Sequence, residues 1–262
     1  MSFYEINTNG LIYMRSTIIG AKHAFTTRFG GVSRGAFASL NLASEKGDDP
    51  EAVRENFRRV CALFGTDENG ACTARQVHPN QVRVVTSADK HSCLAPAAIE
   101  ADGLVTAEKG LPVFCFAADC TPMLLWDTEN RAVGAIHCSW RNSVMDMPGR
   151  AVAAMGALGA GPEKLCAALG PALGRCHFET DDDVPDAIEA WIGDAAGLFD
   201  RRPDGKTMVD LRAAIARRLV QLGVPTENID VSGECTFCSH DKYWSHRCVK
   251  GPRGHQGAVI ML

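Results

Sequence analysis

No stretch of this sequence approaches the ~18–20 consecutive apolar residues that a membrane span needs. Basic residues are not in excess either. The 27 Lys and Arg stand against 31 Asp and Glu, for a net charge of −4, whereas a nucleic-acid footprint is normally basic. The start, Met1-Ser2-Phe3-Tyr4-Glu5-Ile6-Asn7, lacks the basic-then-apolar shape of an export signal. Neither the Walker nor the dinucleotide glycine fingerprint is present, and no internal repeat or low-complexity segment stands out. These absences set the expectation of a cytoplasmic protein with no membrane and no nucleic-acid partner.

What the chain has in quantity is ordinary globular material. Its 262 residues, 46% hydrophobic and 22% charged, suit one large domain spanning 1–262 with a sizeable core. The eleven cysteines are an odd number in a chain without an export signal, which points to reduced thiols rather than a disulfide framework. Gly47-Asp48-Asp49-Pro50 opens a helix that Gly65 stops, with Val53, Phe57, Val60, Cys61 and Phe64 on its apolar face. Further helices are expected over Gly149–Leu158 and at about 184–197 and 210–222, the last capped by Asp210 and stopped by Gly223. Short strands are expected at 73–78, 81–85, 101–106, 113–118, 165–169, 229–232 and 257–262. Their irregular alternation with helices implies mixed sheets covered by helices.

The stretch with most chemistry runs from Phe116 to Arg141. Two apolar runs, Met123–Trp126 and Ala132–Ile136, flank Asp127-Thr128-Glu129-Asn130, residue types that suit a hairpin turn. A loop of those residues alone places Trp126 opposite Arg131, Leu124 opposite Val133 and Cys120 opposite His137. Opposed Cβ atoms lie ~4.5–5.5 Å apart, close enough for a thiolate and an imidazole to share one Zn²⁺. Asp119 precedes the cysteine, and Trp140 and Arg141 follow the histidine. Polar groups gathered at the end of an apolar hairpin are costly unless they serve a purpose.

Elsewhere, His23–Gly35 carries anion-binding chemistry in its glycines, hydroxyls, Arg28 and Arg34, but it fits no phosphate-loop fingerprint, and a plain surface turn is the better reading. His78 falls at a turn, His78-Pro79-Asn80, where functional groups collect. His91 and Cys93 lie in a polar connection and are assigned no role. Cys235, Cys238, His240, His246 and Cys248 resemble a zinc knuckle but crowd into 235–248, too compressed for a closed tetrahedral site. Cys235, Cys238 and Cys248 are therefore expected to be metal-free, and His246 and Arg247 to line a catalytic pocket.

Taken together, several motifs resemble the laccase-domain family, first described as multicopper polyphenol oxidases and now associated with purine nucleoside phosphorylase and adenosine deaminase activity. They are Thr27–Ser33, Ser39–Leu42, Gly47–Pro50, Gln76-Val77-His78, Ala118–Pro122, Ile136–Arg141, Gly170-Pro171 and Ser245-His246-Arg247. The resemblance implies an α+β fold, a four-layer α/β/β/α sandwich in a single domain. It implies a metal held by His78, Cys120 and His137, zinc by preference and copper as the alternative, with a position left for water. It also implies a zinc-dependent purine nucleoside phosphorylase using adenosine, inosine or methylthioadenosine, with adenosine deamination as a possible second activity. The partners are then a nucleoside and phosphate, and the protein a monomer or weak homo-oligomer. Cys120, His137, Asp119 and Arg247 are the expected catalytic residues, and Arg28, Arg141 and His246 the expected substrate contacts. Two alternatives remain: copper-dependent phenol oxidation, and a cysteine hydrolase acting on cell-wall precursors with Cys120 as nucleophile and His137 as base. The chain departs from the family pattern at Pro79, Cys138-Ser139 and Arg175-Cys176-His177, positions that bear on substrate preference.

Overall fold

The computed structural model describes residues 3–78, 80–92, 94–95 and 97–262; Pro79 and Cys93 lie outside them. In chain order its elements begin with β1 (Phe3–Thr8), β2 (Leu11–Ser16), β3 (Lys22–Thr26), α1 (Pro50–Ala62), β4 (Val82–Val84), β5 (Gly103–Thr106) and β6 (Val113–Ala117). Next come β7 (Thr121–Asp127), β8 (Val133–Cys138), α2 (Trp140–Val144), α3 (Met147–Ala157), β9 (Leu165–Leu169), β10 (Glu179–Thr180) and α4 (Asp183–Ile192). The chain ends with β11 (Phe199–Arg201), β12 (Thr207–Val209), α5 (Leu211–Gln221), β13 (Ile229–Val231), α6 (His246–Val249) and β14 (Gln256–Met261).

Two main sheets face each other. One has the order β1-β2-β3-β14-β6 and is antiparallel throughout; the other, β13-β9-β7-β8-β5-β4, is mixed, with parallel pairs at both edges. A small third sheet pairs β10, β12 and β11. Strand alternation sorts the apolar side chains into three buried clusters. Leu104, Leu124, Val133 and Ala135 of the mixed sheet meet Phe25, Val113, Cys115, Ala258 and Ile260 of the antiparallel one. The outer face of the mixed sheet carries Met123, Leu125 and Ile136 against Met155 of α3, Ile188 of α4 and Ile215 of α5. The outer face of the antiparallel sheet carries Phe114, Val259 and Met261 against Val53, Phe57 and Val60 of α1. Helix, sheet, sheet, helix is the α+β sandwich expected.

Local chemistry accounts for the helix limits. Asp49 caps α1 by accepting from the Glu51 N–H at 3.0 Å, Pro50 follows it, and Gly65 ends the turn at φ +77°. Asp210 caps α5 by accepting from the Ala213 N–H. Helix α4 stops at Ile192, short of the expected 197, because Gly193 takes φ +75°.

The hairpin exists, but its register differs. Trp126 pairs with Val133, Leu124 with Ala135 and Pro122 with His137. Asn130 at φ +57° closes a turn onto the Asp127 carbonyl, and the buried Asp127 carboxylate accepts from the Arg131 N–H at 3.0 Å. These bonds draw Arg131 and Ala132 into the loop, so the pairing slides by two residues. An even slide leaves every side chain on its face. Cys120 and His137 therefore still point into the gap between the sheets, diagonally related rather than opposed.

The glycine-rich segment is not the anion loop its composition suggests. Its start is strand β3, buried from His23 to Thr26. The buried Asn56 side chain then fastens the following loop, accepting from the Val32 N–H and donating to Ser33 Oγ and the Ser39 and Asn41 carbonyls. A Cβ on Gly31 would collide with the Ser39 carbonyl and Leu40, so this glycine serves a close backbone approach.

His23 gives the fold an acid limit. Its Nε2 accepts from the Ser16 N–H and its Nδ1 donates to the Ala21 carbonyl, both at 2.9 Å. Burial, reinforced by the Arg15 charge, lowers its pKa to about 4 against an ordinary 6.5. The unfolded chain takes up that proton first, so this contribution is complete above pH 6.5 and shrinks as pH falls toward 4. Denaturant unfolding across that window should show a loss of up to about 3 kcal/mol. His23→Gln should flatten the slope between pH 6.5 and 4; an unchanged slope would clear His23.

Candidate metal centre and cleft

The ends of β6 and β8 and the starts of β7 and β14 meet at the rim of the inter-sheet gap. There a cleft of about 400 Å³ opens, lined among others by Lys46, Arg75, Gln76, His78, Phe116, Cys120, His137 and His255. His137 is buried at the end of β8, and its Nδ1 lies 3.1 Å from Asp102 Oδ1. Its backbone N–H also donates to the Asp102 carbonyl, at 2.7 Å, and Asn142 Nδ2 donates to the His137 carbonyl. The imidazole is thus fixed at Nδ1, which leaves Nε2 as the ligating atom, an arrangement common among metal-binding histidines.

His78 reaches the same point from the opposite wall. It sits at φ +60°, a left-handed conformation that a non-glycine residue seldom takes. Gln76 fastens its approach by bonding both backbone groups of Phe116, at 2.8 and 2.7 Å. The rings of His78 and His137 lie 5.2 Å apart, and His78, Asp102 and His137 offer ligand atoms within 4.8 Å of one another. Cys120 lines the cleft and its sulfur acts on His137, although it falls outside that tightest group.

Burial alone would push the His137 pKa down; the Cys120 sulfur and the Asp102 carboxylate outweigh it and raise it to about 9. Burial lowers His78, and the charges of His137 and Arg141 add to the effect. The donors therefore comprise one neutral imidazole, one imidazole whose proton an arriving cation would displace, and a thiol. Two imidazoles and one sulfur suit zinc, with copper next.

The other expected residues divide. Asp119 accepts from Thr236 Oγ1 at 2.6 Å and from the Arg247 N–H at 2.7 Å, so both carboxylate oxygens organise loops. The Arg247 guanidinium turns away to the His177 and Glu179 carbonyls. Arg28 donates to the Ala38 and His240 carbonyls and lies 4.1 Å over Trp244. Both arginines act as clamps in this structure rather than as open anion contacts. Arg141 is exposed, stacked 4.5 Å over Trp140, with its charge felt at His78. His246 is exposed at the start of α6.

Several site residues carried no sequence signal. Asp102 looked like part of a plain strand. His255, lowered to about 3 by burial and by the Lys46 and Arg253 charges, enters the cleft where β14 begins. Arg253 sits beside it and is felt by Asp119, His246 and His255. Gly254 between them permits close packing, because a Cβ there would meet the Trp244 ring and Asn41.

Comparison with known proteins shows what the chain is similar to. The family described as multi-copper polyphenol oxidoreductase laccase matches residues 22–262. A purine nucleoside phosphorylase of Deinococcus radiodurans is 37% identical over 253 residues, covering 97% of this chain and 94% of that protein. One from Corynebacterium glutamicum is 33% identical over 242 residues, covering 92% and 94%. The crystal structure of YlmD from Geobacillus stearothermophilus superposes with a TM-score of 0.91 at 30% identity, covering 98% of this chain and 97% of that one.

Asp102→Asn should weaken zinc binding in the cleft about 10–100-fold, since it releases the ring that it orients. Competition with a chromophoric chelator reads this directly, and unchanged affinity would detach Asp102 from the site. Cys120→Ala should lose the ion from the cleft altogether.

Proposed function

The chain belongs to the multi-copper polyphenol oxidoreductase laccase family, and from that membership we propose a zinc-dependent purine nucleoside phosphorylase, with adenosine deamination as a second activity of the same cleft. The observation that carries this reading is that His78, Cys120 and His137 all line one open cleft of about 400 Å³, with the two imidazoles close enough to share an ion. Relatives of near-equal length bear the name purine nucleoside phosphorylase, which supports the substrate class. Adenosine, inosine and methylthioadenosine are the substrates to test.

A zinc ion held by the three donors would act as a Lewis acid and lower the pKa of a nearby water toward ~7. The residues of the chain do the rest. Asp102 holds the His137 ring in one tautomer, and Phe116 offers an apolar edge for a purine. Lys46 lines the cleft with Glu45 and with Arg75, which pairs with Glu100, while Arg141 and Arg253 place positive charge beside it. That balance favours phosphate, held against the anomeric carbon of the sugar, over a neutral phenol. Arg141, exposed and stacked on Trp140, and Arg253 join Arg28 and Arg247 as candidate phosphate contacts; of the four, Arg28, Arg247 and Arg253 also hold backbone carbonyls.

Zinc-loaded protein incubated with adenosine or inosine, with and without phosphate, separates the activities. Free base and ribose 1-phosphate should form only when phosphate is present, and inosine from adenosine without phosphate would mark deamination. If neither forms while copper-loaded protein oxidises phenols in a Cys120-dependent way, the oxidase reading replaces this one. Arg141→Ala and Arg253→Ala should each weaken phosphate use by ~1.5–3 kcal/mol if a charged hydrogen bond is lost, with zinc content unchanged.

A further inference from the structure

A second cluster lies behind Asp119. The loop before β10 brings Cys176 and His177 to the turn carrying Cys235 and Cys238, and the ligand atoms of all four lie within 4.8 Å of one another. His177 Nδ1 is 3.3 Å from Cys176 Sγ, 3.3 Å from Cys238 Sγ and 3.9 Å from Cys235 Sγ, and Cys176 Sγ is 3.6 Å from Cys238 Sγ. A regular zinc tetrahedron with Zn–S ~2.3 Å and Zn–N ~2.05 Å has S···S edges of ~3.8 Å and S···N edges of ~3.6 Å. The observed separations scatter about those edges. Crowding within 235–248 is therefore no obstacle. One ligand pair comes from Cys235-x-x-Cys238 and the other from a distant loop, while Cys248 stands outside the group.

The surroundings suit a thiolate at Cys235. The N–H of Gly174 donates to Cys235 Sγ at 3.2 Å, and the N–H groups of Phe237 and Cys238 point at the same sulfur, a nest that favours negative charge. Three thiolates and one Zn²⁺ leave a net charge of −1. The buried Arg212, whose charge acts on Cys235 and Cys176, sits where it offsets this. Phe237 stacks on the His177 ring at 3.9 Å and 18°, which keeps Nδ1 facing the sulfurs.

We propose that Cys176, His177, Cys235 and Cys238 form a closed structural zinc site, separate from the cleft, that staples the 174–179 loop to the 235–238 turn. All four positions would be filled by protein, as in structural rather than catalytic zinc centres. The staple supports the cleft from behind. Thr236 holds Asp119 beside Cys120, and the carbonyls of His177 and Glu179 hold Arg247.

Zinc content of protein purified without added metal and dialysed against a weak chelator provides the test. About two ions per chain are expected in the parent protein, one in Cys120→Ala, one in Cys238→Ser and none in the double variant. Cobalt(II) substituted into Cys120→Ala should give tetrahedral visible bands and strong thiolate charge-transfer absorption. Cys238→Ser should lose that absorption and melt at lower temperature. A zinc-free Cys120→Ala protein that remains folded overturns the proposal. So does a Cys176–Cys238 disulfide found by mass spectrometry of alkylated peptides. The Cys120→Ala stoichiometry decides the matter even if Cys238→Ser fails to fold, and it does not depend on which reaction the cleft performs.

Discussion

The pair of hydrogen bonds between Asp102 and His137 governs the geometry of the cleft. One residue receives both the backbone N–H and the ring nitrogen of the other, at the point where β5 and β8 leave their shared ladder. Both side chains are buried. An imidazole and a carboxylate can be taken from water together only if each satisfies the other, since either alone would carry a desolvation penalty of several kcal/mol. The contact with Asp102 Oδ1 fixes the ring, and the fixed ring presents one free nitrogen to the gap between the sheets. His78 and Cys120 matter only because that nitrogen is stationary.

The sandwich delivers its polar residues to one rim for a topological reason. The last strand, β14, lies between β3 and β6, one strand in from the edge of the antiparallel sheet, so the residues just before it, Arg253 to His255, are carried to the edge of the gap. The hairpin β7–β8 lies at the centre of the mixed sheet and carries Cys120 and His137 to the same edge. Apolar side chains fill the gap below. Polar groups there are tolerable only at the rim, where solvent or a ligand can reach them.

Much of this was legible from residue pattern. The caps at Asp49 and Asp210, the buried run at β6 and the β7–β8 hairpin all follow from local rules, and those rules hold in the structure. The register did not follow, because it depends on a side chain. Asp127 accepts the Arg131 N–H and draws two residues into the turn, and turn types do not reveal such a bond. Cys120 and His137 still face the same gap because a slide of two preserves facing. Asp102 and His255 were hidden for a different reason: each owes its role to a partner far along the chain, and nothing within a few residues of either distinguishes it from surface or core. Arg28 and Arg247 are the opposite case, residues whose sequence context names one partner while the fold supplies another. Arginine near glycines and hydroxyls suggests phosphate, but backbone carbonyls left unpaired by loops compete for the same donors, and in this fold they win.

The same competition explains why Asp119 is better understood as a junction than as an acid. Its oxygens accept from Thr236 and from the backbone of Arg247, and its own carbonyl accepts from the Leu173 N–H. Three loops thus converge on the residue that precedes Cys120. Displacement of the turn at 235–238 would pull on Thr236, release one oxygen of Asp119 and leave a partly buried carboxylate short of a donor. Displacement of the loop at 174–179 would free the Arg247 guanidinium and loosen the second donor. Because both loops bear on one residue, holding them to each other stiffens the approach of Cys120 more than fastening either to the core separately. The position of the Cys120 sulfur diagonal to a stationary imidazole is therefore set by the hairpin on one side and by the loop junction on the other.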